Sequence, residues 1–298
     1  MSNSVRGFYK TEYDRHNHMQ STYSSEHLYI PTKNSSWWNK KYQDALVHFL
    51  ADRGILNSEQ GADLKTLHKC IDKKYMEFSL IGPDYSNNSR TLLSDILFEF
   101  VETQEELYHQ MLIWLRRNII KKDFYFQKIP TIRVHMPDVK GNVIYPCWHA
   151  DGFLGHNPRD LNLWFGLTDN QYSGFEVLGF EDSREWFAEF DNDPVEWRSV
   201  CFRGKEDFMS KGYRMSKEVK DVFTNLFLFD SRCIHSAIHR GPDDETTKIS
   251  IDFRLLMVED ENWPVIDDKP LFVGTGIRKA EYRVGSPYGY YEKSVGSL

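Results

Sequence analysis

Short segments in which apolar and polar residues alternate fill the second half of this chain, and they constrain its fold more than any other feature. Residues 131–136, 161–168 and 248–256 alternate in this way, and residues 175–180 and 225–229 are further strand candidates. Alternation over four to eight residues is typical of a half-buried strand, because successive side chains point to opposite faces. Turn-forming residues separate the segments. The sequence therefore predicts a β-sandwich or barrel in this half.

The first part of the chain has a helical pattern instead. Residues 1–35 are polar and are predicted to form an irregular arm. From Ser36 onward apolar residues recur every three or four positions, which predicts a helix that Gly54 ends. A second helical stretch is predicted at 64–78, and the strongest helix at about 103–120. Helices followed by short strands indicate an α+β fold.

Composition excludes several classes of function. The 298 residues include 37 Lys+Arg and 44 Asp+Glu, a formal net charge of −7. A general nucleic-acid binder needs a basic face, so nucleic acid is not an expected partner. No apolar run is long enough to span a membrane, and the polar start lacks the apolar segment of a secretory signal. Four scattered cysteines without a Cys-x-x-Cys motif are typical of a reducing compartment. We expect a cytoplasmic protein, monomeric or homodimeric, that acts on a small molecule.

The sharpest local motif is Trp148-His149-Ala150-Asp151. Positions i and i+2 of a strand share a face, so His149 and Asp151 can converge on one metal ion. A second histidine would complete the two-His, one-carboxylate set that binds Fe(II). Alone the motif is a weak signal, because a surface histidine beside a turn aspartate gives the same letters.

The sequence downstream strengthens the metal hypothesis. Residues 225–235 read as a buried strand, a tight turn and a strand that carries His235. Thirteen residues further on, a strand places four polar side chains on one face: Lys248, Ser250, Asp252 and Arg254. A cation and a hydroxyl two positions apart on a strand can hold a carboxylate by charge-assisted hydrogen bonds.

Together these features resemble the Fe(II)/2-oxoglutarate-dependent oxygenases, which fold as a double-stranded β-helix, or jelly roll. Their pattern is His-x-Asp, a distal histidine, then a basic residue with a nearby serine or threonine on the last strand. Residues 149–158 and 161–168 are similar to a branch that serves specialised metabolism, with streptomycin-biosynthesis-type and phytanoyl-CoA-hydroxylase-like enzymes. The resemblance covers residues 131–256.

The resemblance implies a domain organisation. We expect one oxygenase domain over 1–298. Its parts would be a helical N-terminal part at 1–125, a jelly-roll core at 131–256 with a lid insertion at about 181–222, and a C-terminal tail at 257–298.

The resemblance also implies the iron ligands. His149 and Asp151 match the His-x-Asp pair, and His235 matches the distal histidine. His239 is the rival for the distal position, but it lies nearer a Gly-Pro-Asp-Asp turn and is expected on a loop. His156 is expected to have a structural role after the ligands.

The predicted 2-oxoglutarate site departs from the family pattern. Lys248-Ile249-Ser250 stands where the family usually has Arg-x-Ser. A lysine pairs with a carboxylate as a point charge and not as a bidentate fork. Arg254 is the rival anchor, about 20 Å away along a strand, so Lys248 and Arg254 cannot both hold one carboxylate. Position in the motif favours Lys248 with Ser250, and Asn162 is predicted to hydrogen-bond the same group.

Substrate contacts are predicted at Arg133 and Trp164, which lie on strands, and at Arg198 and Arg203 in the lid. A structural ion pair is an equal alternative for Arg133, and ordinary core lining is the alternative for Trp164. Basic residues there would suit a small polar metabolite that bears a carboxylate. With Fe(II), 2-oxoglutarate and O2 the family releases succinate and CO2, and hydroxylation of an unactivated C–H bond is its default outcome. Oxidative cyclisation of an N-alkylated amino acid, as in kainoid synthases, remains an alternative. So do a non-catalytic jelly-roll binding protein and a zinc hydrolase or cupin isomerase with the same ligands.

Overall fold

A computed structural model describes several parts of the chain. These are residues 28–30, 32–56, 63–77, 91–121, 123–127, 129–137, 149–150, 160–168, 175–179, 182–183, 185, 217–219, 226–231, 233–237 and 245–257.

Nearly all of the described helical residues lie in the first half of the chain and most of the strands in the second. The helices are α1 (Thr32–Asp52), α2 (Leu67–Cys70), α3 (Leu92–Thr103) and α4 (Glu105–Leu115), with 3-10 turns at Leu64–Thr66 and Lys73–Met76 and a π-helical turn at Arg116–Ile120. The strands are β1 (Leu28–Ile30), β2 (Phe124–Phe126), β3 (Thr131–His135), β4 (Asp160–Gly166), β5 (Phe175–Val177), β6 (Lys217–Val219), β7 (Leu226–Asp230), β8 (His235–Ala237) and β9 (Lys248–Met257).

The strands form two antiparallel sheets. The large sheet has the order β1-β7-β4-β9-β2, and β3 also pairs with β9. The small sheet has the order β6-β5-β8, and His149 adds an isolated bridge to the other edge of β8 at His235. The α+β class predicted from the sequence is therefore confirmed by antiparallel sheets and helices.

The order of the strands follows a regular scheme. When eight segments are counted from β3, with the bridge at His149 as the second, the large sheet contains segments 1-8-3-6 and the small sheet 2-7-4-5. The chain thus crosses repeatedly from one sheet to the other. Because β8 follows β7 after a short turn, the end of β7 and the start of β8 lie at the same end of the two sheets.

The main core fills the space between the helices and one face of the large sheet. Alternate residues of β4 and β9 contribute to it, as the alternation predicted. Helix α1 is fixed to the end of β4 by two side chains: Asn39 Nδ2 donates to the Gly166 carbonyl at 2.8 Å and Gln43 Nε2 to the Leu167 carbonyl at 2.7 Å. Nothing polar interrupts this layer at the centre of β9, where Ile251 and Phe253 are fully buried.

The prediction of an irregular polar arm at 1–35 is wrong for its last residues. Residues 28–30 form β1, which pairs with β7, and α1 begins at Thr32 and not at Ser36. Residues 32–35 are polar, so apolar periodicity could not indicate that turn of helix. The end of α1 is as predicted: Gly54 has a φ of +64°, the left-handed conformation in which glycine commonly ends helices.

Two further helix predictions need correction. The strongest predicted helix, 103–120, is divided between α4 and the π-helical turn, and a separate helix, α3, precedes it. Gln104 separates α3 from α4 with a ψ of 28°, outside the helical range. Thr91 and Ser94 form a reciprocal capping box at the start of α3. The stretch predicted at 64–78 forms short helical turns instead of one helix.

Strand predictions are largely confirmed. β3, β4, β5, β7, β8 and β9 lie where the alternating segments indicated. The end of the predicted lid insertion, 217–219, belongs to the small sheet as β6. No described helix combines the length and hydropathy needed to cross a membrane.

Candidate functional site

Two of the predicted iron ligands lie side by side across the small sheet. The His149 N–H donates to the His235 carbonyl at 2.9 Å, and the His235 N–H donates to the His149 carbonyl at 2.7 Å. Residues that exchange both hydrogen bonds stand directly opposite each other, so their side chains project from the same face. Val177 of β5 is the partner of His235 on its other side. His149, His235 and Val177 therefore form one row across the small sheet.

The two imidazole rings suit a shared metal ion. Their centroids are 4.3 Å apart and their planes are inclined at 50°. Two imidazoles that bind one ion at right angles, through nitrogens about 2.1 Å from it, have centroids about 4.5 Å apart. Both residues are half-buried.

The Cys233 carbonyl fixes which nitrogen of His235 carries a proton. His235 Nδ1 lies 3.0 Å from that oxygen. A carbonyl can only accept, so Nδ1 donates, and in the neutral ring the lone pair lies on Nε2, a nitrogen that can bind a metal. Backbone carbonyls orient many metal-binding histidines in this way. The ring of Phe229, packed edge-on at 5.1 Å, restricts the imidazole from another side.

The third predicted ligand, Asp151, lies outside the described residues, as do His156, Arg198, Arg203 and His239. Within the described part of the chain no group of three metal-binding side chains is found. The pair His149–His235 can supply two nitrogens to an ion, and the carboxylate remains a prediction.

The large sheet turns its polar face toward these histidines. Phe227, Phe229 and Val177 cluster with Cys233 between the sheets, and Trp164 packs against them. Side chains on the same face of β9 are the four predicted from the sequence: Lys248, Ser250, Asp252 and Arg254. Lys248, Asp252 and Arg254 are buried, and Ser250 is half-buried.

The register shows which of these residues lies nearest to the histidines. Asn162 is the cross-strand partner of Arg254 on one side and of Phe229 on the other. Arg254, Asn162 and Phe229 therefore form one row across the large sheet, and the Phe229 ring contacts His235. Arg254 and Asn162 are 4% and 3% exposed, so both are enclosed between the sheets.

Lys248 lies at the opposite end of β9. Its partner on β3 is His135, and the pairing with β4 ends two residues later, at Gly166 and Ser250. The preceding residue, Thr247, is held by the helical layer: its N–H donates to the Lys65 carbonyl at 2.7 Å, and its hydroxyl lies 2.8 Å from His68 Nδ1. Six residues separate Lys248 from the row that contains Arg254, about 20 Å along a strand.

Asp252 joins two guanidinium groups. Arg133 Nε donates to its Oδ2 at 2.8 Å, and Arg254 Nη1 donates to its Oδ1. The Arg254 side chain is buried, whereas that of Arg133 is 45% exposed. Trp164 is the cross-strand partner of Asp252. The polar face is therefore a charged network that runs from the interior to a solvent-accessible residue on β3.

Three contributors to this site were not given a role by sequence reasoning: Phe229, Cys233 and Gln127. Phe229 and Cys233 act on His235 through a ring contact and a carbonyl. Gln127 binds the backbone of Arg254 through its side chain at 3.2 Å. The spacing of Phe229 and Cys233 before His235 was visible, but the role of Gln127 depends on the register of β9 with β2.

Comparison with known proteins gives one curated relative and several solved structures. No family model matches the chain. The streptomycin biosynthesis protein StrG of Streptomyces griseus is 32% identical over 95 residues, 26% of this chain and 45% of StrG. The chain thus spans less than half the length of the curated relative. This match confirms the predicted resemblance to the streptomycin-biosynthesis branch.

The solved structures are more distant. The α-ketoglutarate-dependent carbocyclase SnoK from nogalamycin biosynthesis is 14% identical, with a TM-score of 0.42 over 99% of this chain and 95% of SnoK. The epimerase SnoN from nogalamycin biosynthesis is 10% identical, with a TM-score of 0.42 over 98% of this chain and 97% of SnoN. EctD from S. alaskensis is 11% identical, with a TM-score of 0.38 over 80% of each chain.

Proposed function

We propose that this protein is a non-haem Fe(II)/2-oxoglutarate-dependent oxygenase that oxidises a small metabolite in specialised biosynthesis. The observation that carries the proposal is the placement of His149 and His235 on one face of the small sheet, opposite a strand face with a buried arginine, a lysine and a serine. An imidazole pair suits Fe(II), and the cations suit the carboxylates of 2-oxoglutarate.

The order of the strands supports a jelly-roll core. Four of the counted segments lie in each sheet, in the orders 1-8-3-6 and 2-7-4-5, which is what a chain wound as a double-stranded β-helix produces; β1 and β2 are additions to the large sheet. Eight strands in two sheets is the jelly-roll architecture. In this core His149 and His235 come from the second and seventh segments, which are neighbours in the small sheet.

His149 and His235 would hold the iron, with Asp151 as the carboxylate ligand. Iron and 2-oxoglutarate supply the oxidising chemistry when bound, with O2 consumed and succinate and CO2 released. The apolar cluster of Phe227, Phe229 and Val177 would exclude water beside the metal. A protein of this kind contributes orientation, burial and electrostatics, while the hard chemistry belongs to the cofactor.

For the 2-oxoglutarate anchor we propose Arg254 with Asn162. Their row ends at Phe229, which contacts His235, whereas Lys248 lies six residues away along β9. A guanidinium also gives the planar, bidentate recognition of a carboxylate that a lysine cannot. Lys248 with Ser250, favoured by position in the family motif, is the competing assignment.

A polar substrate with a carboxylate fits this interior. Arg133 is half-exposed, and Asp252 connects it to the buried Arg254. Arg133 would therefore meet an anion that enters from solvent, and Trp164, the cross-strand partner of Asp252, would lie on the same face of the sheet. Hydroxylation is the expected outcome, and oxidative cyclisation is the alternative for a substrate with a nearby alkene.

Anaerobic addition of Fe(II) and then 2-oxoglutarate tests the proposal. A weak visible charge-transfer band should form with the wild-type chain and should be lost in His149→Ala. The control is His48→Ala, because His48 is an exposed residue of α1. A wild-type protein without the band contradicts the oxygenase and leaves a binding protein. Hydrolysis or isomerisation of a substrate with zinc and without O2 would also contradict it.

A further inference from the structure

One edge of β9 pairs with two different strands, and the change from one strand to the other occurs at Arg254. Residues 248–252 of β9 pair with β3, and residues 255–257 pair with β2. At such a junction the backbone groups between the two partners lose their regular ladder. An unmet N–H or carbonyl inside a protein is costly, so another group must take the place of the missing strand.

Gln127, the residue after β2, fills this junction. Its N–H donates to the Arg254 carbonyl at 2.9 Å, and its side-chain Oε1 accepts from the Arg254 N–H at 3.2 Å. The Gln127 carbonyl instead accepts from the Tyr108 hydroxyl at 2.7 Å. The side-chain oxygen thus replaces the backbone carbonyl in the ladder.

The nitrogen of the Gln127 side-chain amide binds the residues just before and at the start of β3. Its Nε2 donates to the Ile129 carbonyl at 2.7 Å and to Thr131 Oγ1 at 3.3 Å. Gln127 is fully buried, and each of its hydrogen-bonding groups is engaged. The Gln127 side chain therefore connects β2, β3 and β9 at Arg254. Arg254 is the residue that lies in one row with Asn162 and Phe229 across the large sheet.

We propose that Gln127 is a positioning residue for 2-oxoglutarate binding: it fixes the backbone of Arg254 so that the guanidinium projects between the sheets. The inference rests on the proposed function and on Arg254 as the anchor. In this role Gln127 would not contact the ligand itself. Its effect passes through the two hydrogen bonds to Arg254.

Gln127→Met tests the inference, because methionine keeps the length of the side chain and removes both polar ends. The dissociation constant for 2-oxoglutarate is measured by titrating the visible band of the anaerobic Fe(II)-loaded protein. Turnover gives KM and kcat separately. We expect the dissociation constant and KM to rise about fivefold to fiftyfold, with kcat at saturation within about twofold of wild type.

Tyr108→Phe is the matched control. It removes a buried hydrogen bond to the same residue but leaves both bonds between Gln127 and Arg254, so 2-oxoglutarate affinity should stay at the wild-type value. Thr131→Val is a milder variant that serves if Gln127→Met does not fold. Unlike Tyr108, which binds the backbone carbonyl, the Thr131 hydroxyl binds the side-chain amide whose Oε1 accepts from the Arg254 N–H, so its loss should loosen that amide and raise the dissociation constant about twofold.

An unchanged dissociation constant in Gln127→Met, or in Thr131→Val where the first does not fold, overturns the inference. So does a rise in Tyr108→Phe equal to that in Gln127→Met, because the effect would then follow general stability. Neither result touches the proposed function, which fails when the wild-type protein forms no band or turns over a substrate with zinc and without O2.

Discussion

The two faces of β9 share one backbone but have different environments. Toward the helices the strand presents Ile249, Ile251, Phe253 and Leu255, all fully buried in the main core. Toward the small sheet it presents Lys248, Ser250, Asp252 and Arg254, of which Lys248 and Arg254 are each 4% exposed. A period of two in the sequence thus separates a face of uniform apolar packing from a face of buried ions.

The two faces teach different things about the molecule. Apolar burial stabilises the fold at about 25 cal/mol per Å² and needs no particular partner. Buried ions are unfavourable unless each is paired, and apolar residues of similar volume are often as stable. A strand that keeps ions on its inner face has therefore gained little stability from them, which agrees with our proposal that this face binds the ligand. Separate variants on the two faces should separate stability from ligand binding.

Phe253→Ala should give the largest change, and in stability alone. Phe253 is fully buried and packs edge-on against Tyr108, with ring centroids 5.0 Å apart. Truncation of a buried phenylalanine costs about 3–5 kcal/mol, because a cavity remains. Chemical denaturation followed by tryptophan fluorescence measures the loss.

The folded fraction of Phe253→Ala should bind 2-oxoglutarate with the wild-type affinity under conditions where the protein is native. A loss of affinity comparable to that of an inner-face variant would show that the two faces are not independent.

Arg254→Met should give the next largest change, this time in binding. A hydrogen bond to a charged group contributes about 1.5–3 kcal/mol, so 2-oxoglutarate affinity should fall about ten- to hundredfold. Titration of the anaerobic iron complex measures it.

Lys248→Met is the control for Arg254→Met, since it removes a buried cation from the same face at the far end of β9. Its 2-oxoglutarate affinity should remain within about threefold of wild type. The opposite ranking of these two variants would transfer the anchor to Lys248 and Ser250, as the family motif indicates.

The sequence was sufficient to predict which residues lie on each face of β9. It was not sufficient to predict whether Lys248 or Arg254, at opposite ends of the strand, lies near His235. Period-two alternation follows from strand geometry alone, so the polar and apolar sets were predicted correctly. Which cation lies near His235 depends on register with β4 and β7, a long-range property that no local pattern contains. For the same reason β1 was missed: its three residues are a strand only because β7 lies beside them.

Tyr108→Phe should change stability at alkaline pH, on the apolar side of β9. Burial, and next to it the charge of Tyr42, raise the pKa of Tyr108 well above its ordinary value. The folded state therefore holds the proton more tightly than the unfolded state. The stability that comes from keeping Tyr108 protonated in the folded state is fully present below about pH 10, the pKa of tyrosine in the unfolded chain. It is lost as the pH rises above that value.

The wild-type free energy of unfolding should accordingly fall above about pH 10, and less steeply in Tyr108→Phe. A residual slope is expected, because the pKa of Tyr42 is raised by burial as well. At neutral pH the variant should be about 1–2 kcal/mol less stable, since the Gln127 carbonyl loses its partner. Parallel curves for the two proteins would contradict the assignment to Tyr108.

Ser250→Ala should give the smallest change, and it tests how far the ligand extends along the inner face of β9. Ser250 is half-buried and lies between Arg133 and Gly166 in the register, two residues from Lys248 and four from Arg254. A hydrogen bond from a neutral hydroxyl contributes about 0.5–1.5 kcal/mol. If the Ser250 hydroxyl contacts the carboxylate, the affinity for 2-oxoglutarate should fall at most about tenfold. If Arg254 and Asn162 alone bind the carboxylate, the affinity should not change. We expect less than a twofold change, with stability unaltered. A tenfold loss that does not add to that of Lys248→Met in the double variant would show that the two residues act on one group, and would extend the ligand to the start of β9.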